Sequence, residues 1–208
     1  MKAGTPTTLA ILHYAGPPGV GGVETTIYHH ARLLAQAGYD VRVIAGRGSQ
    51  FHPQVSFTQI PELDSRHPDV LAVGEALAQG EVTPQFTALK DYLISKLRPL
   101  LSEVDLGVVH NAVTLHKNFP LTAALHALAE ERAVCLIAWC HDLAWQDPLY
   151  IPDFHPGYPW DLLRIPWPAV TYVVVSQHSR KKLADLIGRD ENEIKVINPG
   201  VDVADIFK

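Results

Sequence analysis

Positive charge is scarce in this chain: 17 lysines and arginines face 22 aspartates and glutamates, a formal net charge of -5, with a pI near 6.1. Gripping a nucleic-acid backbone takes clustered Lys and Arg that neutralise phosphates, so no nucleic-acid partner is expected. The basic cluster Arg180-Lys181-Lys182 reads as a solvated helix face. Long apolar runs are missing too. The longest, Ala133 to Trp139, falls far short of the roughly 20 residues a membrane helix needs, and the N-terminus lacks a charged-then-apolar leader pattern. A cytoplasmic protein is expected, with peripheral association at the inner face of a membrane left open. Cysteine is limited to Cys135 and Cys140. Five apart on one predicted strand, their side chains leave opposite faces and cannot meet in a disulfide, so both are expected as reduced, buried thiols.

Several familiar chemistries are excluded by missing motifs. The run Gly16-Pro17-Pro18-Gly19-Val20-Gly21-Gly22-Val23-Glu24 follows an apolar segment, Thr8 to Tyr14, and leads into an amphipathic helix with Val23, Ile27, Ala31 and Leu34 on one face. A P-loop would end in Gly-Lys-Ser/Thr, and a dinucleotide fingerprint starting at Gly19 would need a third glycine where Glu24 stands. Neither condition is met. A serine hydrolase is disfavoured because Ser49 and Ser176 lack the flanking glycines of a nucleophile elbow. What remains is a glycine turn at a helix start, where unpaired N–H groups and a partial positive charge suit phosphate or sugar oxygens.

With 208 residues, 47% apolar and 19% charged, the chain suits one well-cored domain. Strand-like and helix-like segments alternate throughout, the pattern of an α/β, Rossmann-like, doubly wound and mostly parallel sheet with helices on both faces. Predicted strands are apolar runs: Leu9 to Tyr14, Val41 to Ala45, Val55 to Ile60, Leu106 to His110, Val134 to Trp139, Tyr172 to Val175 and Ile194 to Ile197. Helical spacing places Phe86, Leu89, Leu93, Leu97 and Leu100 on one face after a Thr83 cap and Pro84, repeats in Leu121, Ala124, Leu125 and Leu128, and stops at Gly188 after Leu183 and Leu186. A further helix is expected around Val70 to Ala78. Ligands of such sheets bind beyond the carboxyl ends of the strands, and the residues there are polar: Gly21-Gly22-Val23-Glu24, Asn111, His141-Asp142, Ser176-Gln177-His178 and Asn198-Pro199-Gly200. Five loops should converge on one rim.

Taken together, the Gly-Gly-Val-Glu turn, the His141-Asp142 pair closing an apolar strand, Val175-Ser176 opening a helix, and Ile197-Asn198-Pro199-Gly200-Val201-Asp202 resemble the N-terminal half of group 1 (family 4) glycosyltransferases. The resemblance runs in order over nearly the whole chain. It implies one half of a GT-B fold, in which a first Rossmann-like domain mainly receives the acceptor and a second holds a nucleotide-sugar. It also implies transfer of the sugar with retention of configuration to a glycan or lipid-linked acceptor, with no metal and no cofactor. Residues 1–202 are expected to form the acceptor-side domain and 203–208 to start an interdomain linker, with the donor domain absent. Without that domain's charge stabilisation, which is usually the largest catalytic contribution, the chain alone is expected to be inactive. The Asn198-Pro199-Gly200 order departs from the Pro-Asn-Gly usual in the family.

Residue by residue, Gly21 and Gly22 are the candidates for donor phosphate, a place the resemblance also gives them. Glu24 reads either as a carboxylate complementing the helix dipole or as an acceptor for sugar hydroxyls. Asn111 and Ser176 complete the donor-side set, with turn and N-cap roles as their bland readings. His141, with Asp142, is the catalytic candidate, since it looks like the family's histidine that contacts the transferred sugar; positioning and electrostatic help fit it better than general base work. A metal shared with His110, His155 or His178 is not expected, because the spacings of specific metal motifs are missing. The aromatic, proline-rich span from Trp139 to Trp167 holds all four tryptophans. It reads as an acceptor surface, with Trp145, Asp147, Tyr150 and Trp160 facing the acceptor, or as a packed excursion covering the sheet edge. Two competing functions remain: a stand-alone carbohydrate or phospholigand binding domain, and a subunit that docks on a separate donor domain.

Overall fold

The computed structural model describes residues 7–19 and 21–200; Val20, the Val201-Asp202 end of the family-like segment and the expected linker 203–208 lie outside the described residues. Seven strands form the sheet: β1 (Thr8–Ala15), β2 (Asp40–Arg47), β3 (Val55–Gln59), β4 (Leu106–His110), β5 (Cys135–Cys140), β6 (Val170–Val174) and β7 (Lys195–Val196). Their order across the sheet is β3-β2-β1-β4-β5-β6-β7, with every neighbouring pair parallel. From β1 the chain moves outward to β3, returns, and continues on the other side from β4. The order therefore reverses between β1 and β4, the point beyond whose strand ends ligands of such sheets bind.

Five helices cover this sheet: α1 (Gly22–Gln36), α2 (Pro68–Ala78), α3 (Pro84–Ser102), α4 (Phe119–Glu130) and α5 (Gln177–Ile187). Helix α1 buries Ile27, Ala31 and Ala35 against Ile11, Val41, Val43 and Val108. The other helices join a larger core that includes Ala10, Leu12, Ile44, Val109, Ala138 and Val174. Alternate residues of β1, Ile11 against Ala10 and Leu12, thus serve opposite layers, as the two-residue period of a strand requires. Helix α3 starts where expected, with the Thr83 hydroxyl accepting from Phe86 N at 3.4 Å. Its last buried contact is Leu101 rather than Leu100, because the 3.6-residue period carries the Phe86–Leu93–Leu97 stripe one position further. Each such buried leucine stabilises by roughly 1.5–3 kcal/mol. Gly188 ends α5 at φ 65°, a left-handed conformation that favours glycine.

Two expectations about burial are corrected. Cys140 is buried but Cys135 is exposed; it is the first residue of β5, where the alternation turns Leu136, Ala138 and Cys140 inward. Trp160 is 3% exposed and belongs to the core, so it does not face an acceptor. The packed reading holds for that part of the excursion: the Trp167 indole donates to Leu162 O at 2.8 Å, Trp145 donates to Trp160 O at 3.0 Å, and His155 Nε2 lies 3.2 Å from Ala78 O at the end of α2.

Candidate functional site

Histidines gather at the switch point between β1 and β4. His13 lies near the end of β1 and His110 closes β4; both are buried. His13 Nδ1 sits 3.0 Å from His110 O, and since a carbonyl only accepts, the proton of that ring is on Nδ1. Burial lowers His13 to about 4 and holds His110 well below the ordinary value. Both rings are neutral near pH 7. His110 Nδ1 in turn lies 3.0 Å from His141 Nε2, linking β4 to the end of β5. His141 is half-buried, and its pKa is lowered by burial, which outweighs the opposing charge of Asp142. His30 of α1 adds a fourth ring, 4.5 Å from Trp139 and 5.9 Å from His110.

The His141-Asp142 pair is held by a residue that the sequence suggested for a different task. Asn111 is buried and adopts φ 59°, a left-handed turn that Asn tolerates better than most residues. The turn aims its amide at the neighbouring strand end. Asn111 Oδ1 accepts from the backbone N–H of His141 at 2.8 Å and of Asp142 at 3.2 Å, while Nδ2 donates to Asp142 Oδ2 at 2.8 Å. Thr114 adds a hydroxyl bond to Asp142 O at 2.8 Å. The last residues of β4 and β5 are thereby locked together, with the Asp142 side chain left at the surface.

On the other flank, α1 begins at its N-cap Gly21, and the first helical bond runs from Thr25 N to Gly21 O at 2.9 Å. The N–H groups of Gly22, Val23 and Glu24 precede that bond. Glu24 folds back over the turn: a Cβ on Gly21 would lie 2.1 Å from Glu24 Oε2. The Glu24 charge is felt at His13, raising its pKa, as Arg47 and His141 lower it, so the glycine turn and the histidines share one neighbourhood. Arg47, at the end of β2, is paired with Asp64.

Next to Asp142 lies a cavity of about 250 Å³, lined by Leu115, Lys117, Asp142, Leu143, Ala144, Asp147 and Tyr150. Two of the four acceptor-side candidates, Asp147 and Tyr150, are thus brought to the His141-Asp142 end of the rim. Trp145 is not among its walls; the Arg164 guanidinium covers its ring at 4.2 Å. Lys117, whose ammonium lies 4.8 Å from the Tyr150 ring centre, was missed by sequence reasoning, as were His13, His30 and Thr114. A larger groove, about 620 Å³, is walled by Glu62, Asp69, Val73, Thr83, Leu89 and Tyr92 among others, and it includes none of the strand-end residues. Ser176 acts as the N-cap of α5, accepting from Ser179 N at 3.0 Å; Asn198 ties β7 to β6 through Val175 O at 3.1 Å. Among the described residues no group of three or more His, Cys, Asp or Glu side chains is arranged to hold a metal ion, and no helix is long and apolar enough to cross a membrane.

A parallel sheet with its polar residues gathered beyond the strand ends, on both sides of a reversal in strand order, defines a doubly wound, Rossmann-like α/β domain. The family model described as Glycosyltransferase Family 4 matches residues 20–205, and the chain belongs to that family. Among solved structures it is similar to WaaG, a glycosyltransferase involved in lipopolysaccharide biosynthesis, with a TM-score of 0.58 and 13% identity over 94% of this chain and 46% of WaaG. At that identity the likeness is one of fold, and the chain spans about half the length of WaaG. No curated protein matches the sequence.

Proposed function

We propose that the chain is the acceptor-side domain of a retaining, metal-independent glycosyltransferase that moves a sugar from a nucleotide-sugar to a glycan or lipid-linked acceptor in the cytoplasm, at or near the inner membrane face. The observation that carries this reading is that Asp142, the neighbour of His141 at the end of β5, lines one cavity with Asp147 and Tyr150, in a chain of this family. In this reading the acceptor sugar occupies the cavity. Its hydroxyls bond to Asp142 and Asp147, and its apolar face rests on Tyr150, as aromatic rings with polar edges permit. Lys117 leaves the Tyr150 ring to meet an acceptor oxygen from the same wall. Donor phosphate oxygens approach the N–H groups of Gly22 and Val23 at the start of α1, and Glu24 leaves its folded-back position to accept from a sugar hydroxyl.

In the transfer, the bond from the anomeric carbon to the diphosphate oxygen breaks as the acceptor oxygen bonds to the same face of that carbon. The acceptor proton passes to the departing diphosphate. His141 contacts the transferred sugar, and Asn111, committed to the backbone of His141 and Asp142, supports the site rather than touching the ligand. The nucleotide is held by a second domain, in the same polypeptide or another, so the 208-residue chain alone turns over no sugar. Saturation-transfer NMR against a panel of mono- and disaccharides tests the acceptor half of the reading. Binding that Asp147→Ala abolishes with the melting temperature unchanged is the expected result; equal loss of binding and stability would sink it.

A further inference from the structure

We propose that His110 is a positioning residue: it donates a hydrogen bond from Nδ1 to Nε2 of His141 and so fixes His141 as a hydrogen-bond donor through its own Nδ1. The purpose of this arrangement rests on the transferase reading above; its geometry does not. The two ring nitrogens are 3.0 Å apart, the ring planes differ by 23°, and the centroids are 5.3 Å apart. The imidazoles therefore meet edge to edge in nearly one plane, as a strong N–H···N bond requires. Burial keeps both rings neutral near pH 7, so a single proton lies between them and two arrangements compete.

In one arrangement His141 donates from Nε2 and His110 accepts at Nδ1. His110 must then carry its own proton on Nε2, yet that atom is buried and has no hydrogen-bond partner among the described residues. The Trp139 ring lies 5.7 Å away between centroids and is inclined by 20°, and an indole has an N–H to donate but no acceptor atom. In the other arrangement His110 donates from Nδ1, and only an unused lone pair is left buried. An enclosed N–H without an acceptor is the rarer and costlier defect, so the second arrangement prevails. A neutral His141 that accepts at Nε2 carries its hydrogen on Nδ1. It offers a donor to an oxygen of the bound sugar or phosphate, and it has no lone pair there with which to take the acceptor's proton. That agrees with a transfer in which the diphosphate receives the proton.

Long-range ¹H–¹⁵N correlation spectra of the 208-residue chain labelled with ¹⁵N-histidine read the tautomer directly, with His141 assigned by its loss in His141→Gln. The expected spectrum has Nδ1 protonated and Nε2 bare. His110→Asn, whose amide nitrogen takes the place of Nδ1, keeps that pattern, and His110→Leu moves His141 to predominant Nε2 protonation. Predominant Nε2 protonation in the wild-type chain overturns the proposal. Should His110→Leu fail to fold, the wild-type and His110→Asn spectra still decide it. Titrating the same sample with the panel of mono- and disaccharides separates the two ideas: no perturbation of the rim by any of them counts against the transferase reading, while the tautomer stands or falls on its own spectrum.

Discussion

Acid should weaken this fold well before its carboxylates protonate, and His13 by itself makes the effect measurable. Its ring is 6% exposed, and burial lowers its pKa from 6.5 to about 4 despite the opposing pull of the His110 carbonyl and the Glu24 charge. His141 and Arg47, the other charged or titratable neighbours, add to the lowering. In the unfolded chain the ring takes up its proton near 6.5. Between those two values the unfolded state binds more protons than the folded one, so stability is fully present above pH 6.5 and is lost as the pH falls towards 4. With these values, a drop from pH 7 to pH 5 costs about 2 kcal/mol through His13 alone. His110, His141, His30 and His116 are lowered by burial as well and act with the same sign. Against a typical domain stability of 5–15 kcal/mol, the loss is easily measured.

The assay is urea unfolding at pH 7, 6 and 5, compared between wild type and His13→Asn. The asparagine amide can keep the bond to His110 O but cannot titrate, so its loss between pH 7 and 5 should be smaller by about 2 kcal/mol. Equal pH slopes in the two proteins, or a wild-type stability that is flat from pH 7 to 5, would refute the account of a neutral buried ring.

Four further substitutions, at three positions, test the backbone of the rim. Asn111→Ala should destabilise by about 2–4 kcal/mol, through lost partners for the His141 and Asp142 N–H groups and through strain at φ 59°; Asn111→Gly should be less harmful by about 1–2 kcal/mol, and equal denaturation midpoints for the two would contradict the strain. Gly46→Ala would place a Cβ 1.9 Å from Asp64 N, whereas Gly22→Ala meets nothing within 4 Å. Calorimetry should show the first to cost about 3 kcal/mol or more and the second to be neutral or stabilising by up to about 1 kcal/mol.

Much of the frame was legible because it depends on local rules. Apolar runs marked all seven strands, Thr83 and Ser176 cap helices as their side chains suggest, and Gly188 stops one at positive φ. Of the site candidates, His141-Asp142 and Asn111 were marked by their place just beyond strand ends, and Asp147 and Tyr150 by the aromatic, proline-rich span that holds them. Trp160 was misplaced because an aromatic residue in an irregular span looks the same whether it packs inward or meets a ligand; only the fold of the excursion onto α4 and the core decides. Lys117 carries no periodic signal and reaches the cavity by a short 3-10 turn, His116–Asn118. His13 and His110 did leave a trace, since each is a titratable residue set in an otherwise apolar strand near its carboxyl end. That trace pointed to the rim but not to the pairing, which depends on β4 lying beside β1 across 97 residues of sequence.

That pairing also explains why the polar residues divide into two kinds. A side chain enclosed at the switch point must satisfy its hydrogen bonds inside the protein, and Asn111 and His13 do so against the backbone of neighbouring strand ends. They have little left for a ligand. Asp142, at the surface, and the half-buried His141 lie beyond them with atoms open to a ligand, so in the transferase reading proposed above the chemistry of the rim falls to them and its precision to the residues beneath. A substitution in the lower layer should therefore change stability and the state of His141 together. One in Asp147 or Tyr150, which line the cavity from the excursion, should change ligand binding while leaving the strand ends locked.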